Sequence, residues 1–390
     1  MLKVLRNVSV IAALASMVTL TACGNSNTAT NTTGGSNGSS GNSGGDILVG
    51  LQFPLSGNEA KMGEDMKQAA ELAADEINAA GGVNGKKLKL VAQDDASDPQ
   101  TATAAANKLV SQGVTAVVGG YSSGATIPAT GVYHQNGIPM VVTAANSQKI
   151  SDQKFPEIFM INGTTVHQAD IATDYMVNKV HGKKIAIIHD NSGYAKDLAE
   201  KTKADVEKAG GQVVVFDAVN PDESDFSALI SKLKQAQPDA TYWTAYYKAG
   251  GAFIKQFKQQ GVSGVIGVGD GSNDKTLIQI AGKDAAEGTF ITTSPTAEFL
   301  PEGKKFIDEY KAKYNAEPGP YSALEYDGVK VLADAIKRAG STDQKAIVEA
   351  LKKTDLKTLS SQVSFNEEGT LKKSNFIVLQ VKDGNFAALK

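Results

Sequence analysis

Three consecutive stretches decide the fold: ILVGLQF at residues 47–53, AKMGEDMKQAAELAADEINAAGG at 60–82, and KLKLVAQ at 87–93. The first is an apolar run of strand length. The second carries Met62, Met66, Ala69, Ala70, Ala73 and Ile77 at helical spacing and stops at Gly81-Gly82, a good helix terminator. The third alternates as a strand does. Strand, helix, strand with apolar strands means a parallel sheet covered on both faces.

The rhythm continues outward. Asp98-Pro99 reads as an N-cap followed by Pro at the first helical position, opening a helix to about Gln112. Strands are expected at 115–118 and 138–142, with a helix over 125–135 between them. After a link at 158–165 the alternation restarts. Strands are expected at 185–189, 213–218, 241–245 and 265–268, and helices at 166–180, 194–209, 225–236 and 249–260. Trp243 falls inside a strand and is assigned to the core. The tail differs: helices at 304–314, 321–339 and 345–352 precede strands at 363–365 and 376–381, joined through the turn Asn366-Glu367-Glu368-Gly369. Two alternating runs imply two doubly wound parallel-sheet lobes, to which such a tail can return in turn.

Upstream, Lys3 and Arg6 precede an apolar run, Val8 to Leu20, too short to span a bilayer, which takes about 20 apolar residues. It reads as a secretory signal ending in Leu20-Thr21-Ala22-Cys23. That ending resembles the lipobox of bacterial lipoproteins and implies a signal peptide over 1–22 and lipidation of Cys23. Cys23 is the only cysteine, so no intramolecular disulfide is expected. Residues 24–45 are uncharged Gly, Ser, Asn, Thr and one Ala, the composition of a flexible tether. The balance of 39 basic against 42 acidic residues gives no reason to expect nucleic acid.

Enzyme motifs fail on context. Gly120-Tyr121-Ser122-Ser123-Gly124 matches the nucleophile elbow of α/β-hydrolases and lies between a strand and a helix. A serine esterase using Ser122 would need a histidine late in the chain, but the four histidines end at His189. Gly267, Gly269 and Gly271 do not make a dinucleotide fingerprint, and Gly85-Lys86-Lys87 fails as a phosphate loop. No metal site or cofactor motif is visible, and no catalytic residue is assigned.

The polar residues gather instead at the carboxyl ends of the expected strands, where open α/β sheets bind ligands. These are Leu55-Ser56-Gly57 and Met62-Gly63, then Tyr121-Ser122-Ser123, then Thr143 to Ser147, then His189 to Tyr194, Tyr246-Tyr247, and Gly269-Asp270-Gly271. Hydroxyls, helix N-termini, one acid and several aromatics suit a zwitterion. Each also has an ordinary structural use: Ser123 as a helix cap, Tyr121, Tyr194, Tyr246 and Met62 as packing, Asp270 as a turn residue.

At these segments the chain resembles the Leu/Ile/Val-binding proteins of bacterial branched-chain amino-acid importers. Ala74-Asp75-Glu76-Ile77-Asn78 through Gly85, Asp94-Asp95-Ala96-Ser97-Asp98-Pro99, Ile187 to Asp190 with Gly193-Tyr194, and Phe365 to Gly369 carry the likeness across nearly all of 46–390. The resemblance implies a type I periplasmic-binding-protein fold, with two α/β lobes joined by a three-strand hinge. The N-lobe would comprise 46–164 plus 295–367 and the C-lobe 165–294 plus 368–390.

It also implies roles. Ser123 would bind a ligand carboxylate, and the Ala144 backbone the ammonium and carboxylate region. Tyr194 and Tyr246 would enclose the ligand from the second lobe, and Asp270 would pair with the ammonium. Asn146, Met62 and Tyr121 complete the expected lining. Asn146 stands where that family has Thr or Ser, Asp270 is shorter than its usual Glu, and Met62 replaces an aromatic. Ser97 and Ser122 occupy positions that form a disulfide in some relatives.

The expected protein is a lipid-anchored, monomeric receptor on the outer face of a Gram-positive membrane. It would hand a branched-chain amino acid to an ABC permease with cytoplasmic ATPases. A ligand-sensing module of the same fold is the alternative.

Overall fold

The computed structural model describes residues 45–389. The expected signal peptide, Cys23 and nearly all of the tether lie outside these residues.

The first sheet opens with β1 (Ile47–Phe53), α1 (Ala60–Ala79), β2 (Leu88–Asp94), α2 (Pro99–Ser111), β3 (Ala116–Gly119) and α3 (Ser123–Gln135). It closes with β4 (Met140–Val142), α4 (Gln148–Ser151) and β5 (Ile158–Met160). Its order is β2-β1-β3-β4-β5, with every pair parallel. β1 lies inside the sheet between β2 and β3 and is buried on both faces, which is why it reads as a nearly continuous apolar run.

The second sheet is fed by α5 (Thr165–Thr173), β6 (Lys184–His189), α6 (Gly193–Lys208), β7 (Gln212–Ala218), α7 (Ser227–Ala236), β8 (Ala240–Trp243) and α8 (Tyr247–Gln259). β9 (Val265–Val268), α9 (Lys275–Ala281), α10 (Lys283–Ala286) and β10 (Phe290–Thr293) follow. The tail supplies α11 (Gly303–Tyr314), α12 (Ser322–Ala339), α13 (Gln344–Lys352), β11 (Asp355–Lys357), β12 (Gln362–Ser364), β13 (Ile377–Lys382) and β14 (Asn385–Ala388). The sheet order is β14-β13-β10-β9-β8-β6-β7. Its tail strands β13 and β14 are antiparallel additions to a parallel set.

The chain thus passes between the sheets three times. It leaves the first after β5, returns after β10 and crosses again before β13. The return is fixed by side chains. Tyr310 and Tyr314 donate to the Gln68 side chain (2.7 Å) and carbonyl (2.8 Å) on α1, and Tyr326 donates to Glu76 (2.7 Å). Gly328 of α12 lets the helix lie against Val118 and Thr143, since a Cβ there would fall 2.5 Å from Thr143 Cγ2.

Some expectations need correction. The link at 158–165 contains β5; a run of three apolar residues is too short to separate strand from loop by pattern. The helix expected over 166–180 is α-helical only to Thr173 and then widens into a π-turn, Asp174–Lys179. β12 pairs with β11 rather than with β13, and Phe365 makes only a bridge to Leu371.

The second sheet has a tight aromatic core. Trp243 stacks on Phe253 at 5.0 Å, and Phe290 lies parallel to Tyr242 at 6.1 Å. Gly267, opposite Phe290 in register, makes room for that ring: a Cβ would fall 1.9 Å from Phe290 Cζ. Because Phe290 is fully buried it cannot swing aside. Gly267→Ala is expected to destabilise the protein by about 1–3 kcal/mol through overpacking. A drop of several degrees in thermal midpoint would register it, and an unchanged midpoint would refute the packing account.

Candidate ligand-binding cleft

The carboxyl ends of both sheets face one another around a small cavity. Its walls are Tyr121, Ser123, Ala144, Asn146, Tyr194, Tyr246, Asp270, Gly271 and Tyr321.

From the first sheet, β3 ends at Gly119, and Gly119 and the following Gly120 are both at positive φ, where a Cβ would be strained. The turn they make delivers Tyr121 and the start of α3. Ser123 Oγ there accepts the backbone N–H groups of Asn146 (3.3 Å) and Ser147 (3.1 Å). With its lone pairs occupied, the hydroxyl keeps its own proton to donate into the cavity. Ala144 lines the cavity, but its N–H is committed to the Gly120 carbonyl (3.1 Å). Its carbonyl accepts from Asn162 (3.0 Å) and retains a second lone pair.

From the second sheet, Asp270 follows β9 and is fully buried. Its Oδ1 accepts from Thr293 (2.6 Å), and its Oδ2 from Asn146 and Asn162 (3.4 Å each). No lysine or arginine among the described residues pairs with it. Burial pushes its carboxyl up to about 6 despite the bonds from Thr293 and Asn162, which oppose the shift. The amide oxygen of Asn162 is likewise buried without a partner.

The aromatic wall is continuous. Tyr246 sits 6.2 Å from Tyr121 and 5.9 Å from Tyr194, and Tyr321 meets Tyr121 edge-on at 5.5 Å. Tyr194 Oη accepts the Gly271 N–H (3.1 Å), and a Cβ on Gly271 would fall 2.8 Å from the Tyr194 ring. Burial raises these phenols well above their ordinary range, so they remain neutral.

Seven residues expected from sequence thus come together: Tyr121, Ser123, Ala144, Asn146, Tyr194, Tyr246 and Asp270. Met62 does not. It is buried in the core of the first lobe, because the helical phase of α1 aligns it with Met66 and Ala69. Glu59, three residues earlier, reaches behind the wall instead, and Tyr121 donates to it (3.1 Å). Tyr321 was missed; it donates to the Asp270 carbonyl (2.8 Å). Its only sequence signal is an aromatic placed just after Pro318-Gly319-Pro320 at a helix start. Ser122 flanks α3 at the N-cap position, and no histidine among the described residues bonds to it, so the elbow motif lacks a base.

The two halves are closed on one another. Gly193 at the start of α6 approaches Gly124 at the start of α3 so nearly that a Cβ would lie 2.9 Å from Gly124 Cα. Asp197 of α6 accepts from Ser147 Oγ (2.8 Å) and the Gln148 N–H (2.9 Å). Lys248 donates to the Asn58 carbonyl (2.5 Å) across the opposite rim.

A small polar cavity sealed between two parallel-sheet lobes, with groups from both, defines a solute-binding clamp. The chain belongs to the periplasmic binding protein family, whose model matches residues 46–385. It is 35% identical over 340 residues to Leu/Ile/Val-binding protein homolog 1 of Brucella suis, covering 87% of this chain and 91% of that one. It is 36% identical over 334 residues to the leucine-, isoleucine-, valine-, threonine- and alanine-binding protein of Pseudomonas aeruginosa, covering 86% and 89%. Among solved structures it resembles the branched-chain amino acid transporter substrate-binding protein LivJ of Streptococcus pneumoniae in complex with isoleucine. That match has a TM-score of 0.80 and 31% identity, and covers 88% of this chain and 98% of that one. The chain is a binding protein and not an enzyme. No helix among the described residues is long and apolar enough to cross a membrane.

Proposed function

We propose that this protein captures a free α-amino acid, with leucine, isoleucine and valine the first candidates, and delivers it to an ABC permease driven by cytoplasmic ATPases. Cys23 anchors it by lipid to the extracellular face of a Gram-positive membrane, and it acts as a monomer. One observation carries the ligand class: a fully buried carboxylate, Asp270, faces the cavity with no lysine or arginine among the described residues paired to it. Such a charge is costly alone and is stabilised when a ligand brings an ammonium. Asp270 Oδ2, the Asn162 amide oxygen and the Ala144 carbonyl supply its acceptors. The free Ser123 hydroxyl proton suits the ligand carboxylate, beside the N-terminus of α3. The four tyrosines wall the side chain.

Calorimetric titration of ligand-stripped protein tests this, using leucine, isoleucine, valine, threonine and alanine, with isovalerate and isoamylamine as controls lacking one charged end. Saturable one-to-one binding of an amino acid, lost for both controls, is the expected result. Silence across the panel would sink the reading.

The pH dependence follows from Asp270. Its carboxyl titrates at about 6 in the ligand-free protein, and the ammonium needs the ionised form. Affinity should therefore fall about tenfold for each pH unit below about 6. Stability runs the other way. The folded pKa lies above the unfolded value near 3.8, so ionised Asp270 disfavours the ligand-free fold above pH 6, and the penalty is relieved as pH falls through that value toward 4. Burial raises Asp95 to about 6 and Glu325 to about 8, adding in the same direction. Titrations and melts between pH 5 and 8 should diverge in this way; affinity that is flat with pH would count against Asp270 as the counter-ion.

A further inference from the structure

We propose that Asp197 is a positioning residue that latches the two lobes shut around the ligand without touching it, an inference that rests on the clamp reading above. Asp197 is not among the residues that line the cavity. It is 2% exposed, although it lies on a surface helix. One oxygen, Oδ2, accepts from Ser147 Oγ (2.8 Å), the Gln148 N–H (2.9 Å) and Thr165 Oγ1 (2.5 Å). Ser147 caps, and Gln148 opens, α4, which follows β4 of the first sheet. Thr165 opens α5 on the second-sheet side, and Lys201 stands 3.7 Å from Oδ1 on α6 itself. Ser147 and Gln148 come from the first-sheet side and Lys201 stays with the carboxylate on α6, while Thr165 bridges the two, its Oγ1 accepting the Gln148 N–H (2.9 Å) and its N–H donating to the Asn146 carbonyl (2.8 Å). When the Ser147 and Gln148 donors withdraw, Asp197 keeps Lys201 beside it and meets water in their place, so the latch is expected to act on closure rather than on the fold.

The same two segments hold the ligand groups. Ser147 N–H donates to Ser123 Oγ (3.1 Å), and Asn146 is its chain neighbour. On α6, Tyr194 lines the cavity one turn before Asp197, and Gly193 rests on Gly124. Contact with ligand, backbone abutment and charge-assisted latch thus occur within a single turn of one helix. A ligand that seats Ser123, Asn146 and Tyr194 brings the latch into register, and the latch in turn resists reopening. Its effect belongs in the dissociation rate, since it forms only after entry.

The test is stopped-flow binding of L-leucine, L-isoleucine, L-valine, L-threonine and L-alanine to the full-length protein and to Asp197→Ala and Asp197→Asn. Asp197→Ala is expected to release the bound amino acid about 10- to 100-fold faster, with the association rate within about twofold of the parent. Asp197→Asn, which keeps an acceptor oxygen, should lie between the two. The melting temperature of the ligand-free variants should match the parent. An unchanged dissociation rate in Asp197→Ala overturns the latch while leaving the binding reading intact. A ligand-free melt that falls while the release rate holds assigns Asp197 a purely structural part and also overturns it. Absence of binding by the parent to every amino acid tested overturns the clamp reading itself, and the latch with it.

Discussion

Asp270→Ala should abolish amino-acid binding at ordinary ligand concentrations. The carboxylate lies inside a closed cavity, so an ammonium entering without it would exchange its hydration for neutral acceptors only. Truncating one side of a buried, hydrogen-bonded charge pair costs about 2–5 kcal/mol, roughly 30- to several-thousand-fold in affinity. The fold should not suffer. Asp270 is held by Thr293, Asn146 and Asn162, yet burial outweighs those bonds enough to lift its carboxyl to about 6. The ligand-free variant should thus melt at or above the parent temperature near pH 8. Calorimetry with each panel amino acid, paired with thermal denaturation, reads both effects. Affinity retained within about fivefold would remove Asp270 from the ammonium site, because no Lys or Arg among the described residues contacts it to explain a silent loss.

Gly193→Val should separate folding from closure. In the closed form a Cβ at 193 would stand 2.9 Å from Gly124 Cα and 3.0 Å from Gly124 N, both backbone atoms that cannot rotate away. The contact runs between helices on opposite lobes, so the clash is relieved by leaving the lobes apart. A ligand can favour the closed state only by its differential affinity for it. With that state strained, affinity should drop about 100-fold or more, a penalty of about 3 kcal/mol. The ligand-free melting temperature should be preserved. Small-angle scattering should show the parent contracting on addition of ligand while Gly193→Val does not. Contraction like that of the parent would mean that the two helix starts are not a closure contact.

Much of this was legible in the sequence because it depends on local chemistry. β1 could be read from its nearly continuous apolar run, and α2 from the Asp98-Pro99 pair, which the structure shows capping the Gln100 and Thr101 N–H groups. The site was legible through topology: polar residues placed just after apolar strands must meet at one edge of a parallel sheet. Tyr321 was not legible, because its approach to Asp270 depends on the return of the tail to the first lobe, a contact 51 residues away in sequence. Met62 is not among the cavity-lining residues, for a local reason. It shares the apolar stripe of α1 with Met66 and Ala69, and that stripe faces the core. β10 was missed since Thr292 and Thr293 carry no apolar signal; β9 and β13 on either side define it as a strand. Asp197 had no signal at all, being an ordinary helix-surface acid until Ser147 arrives from another lobe.

The return of α12 to the first sheet has a consequence for how this chain acquires its shape. Gly328 rests on Val118 and Thr143, and Asn84 donates to the Ile336 carbonyl (3.2 Å) across 252 positions. Strands made early in synthesis therefore wait for cover made late, and β10 waits for β13. Neither half can finish while the chain is still emerging. Contacts of such long range are slow to form. In a chain of this design, neither sheet has its full cover until residues near the C-terminus have been made.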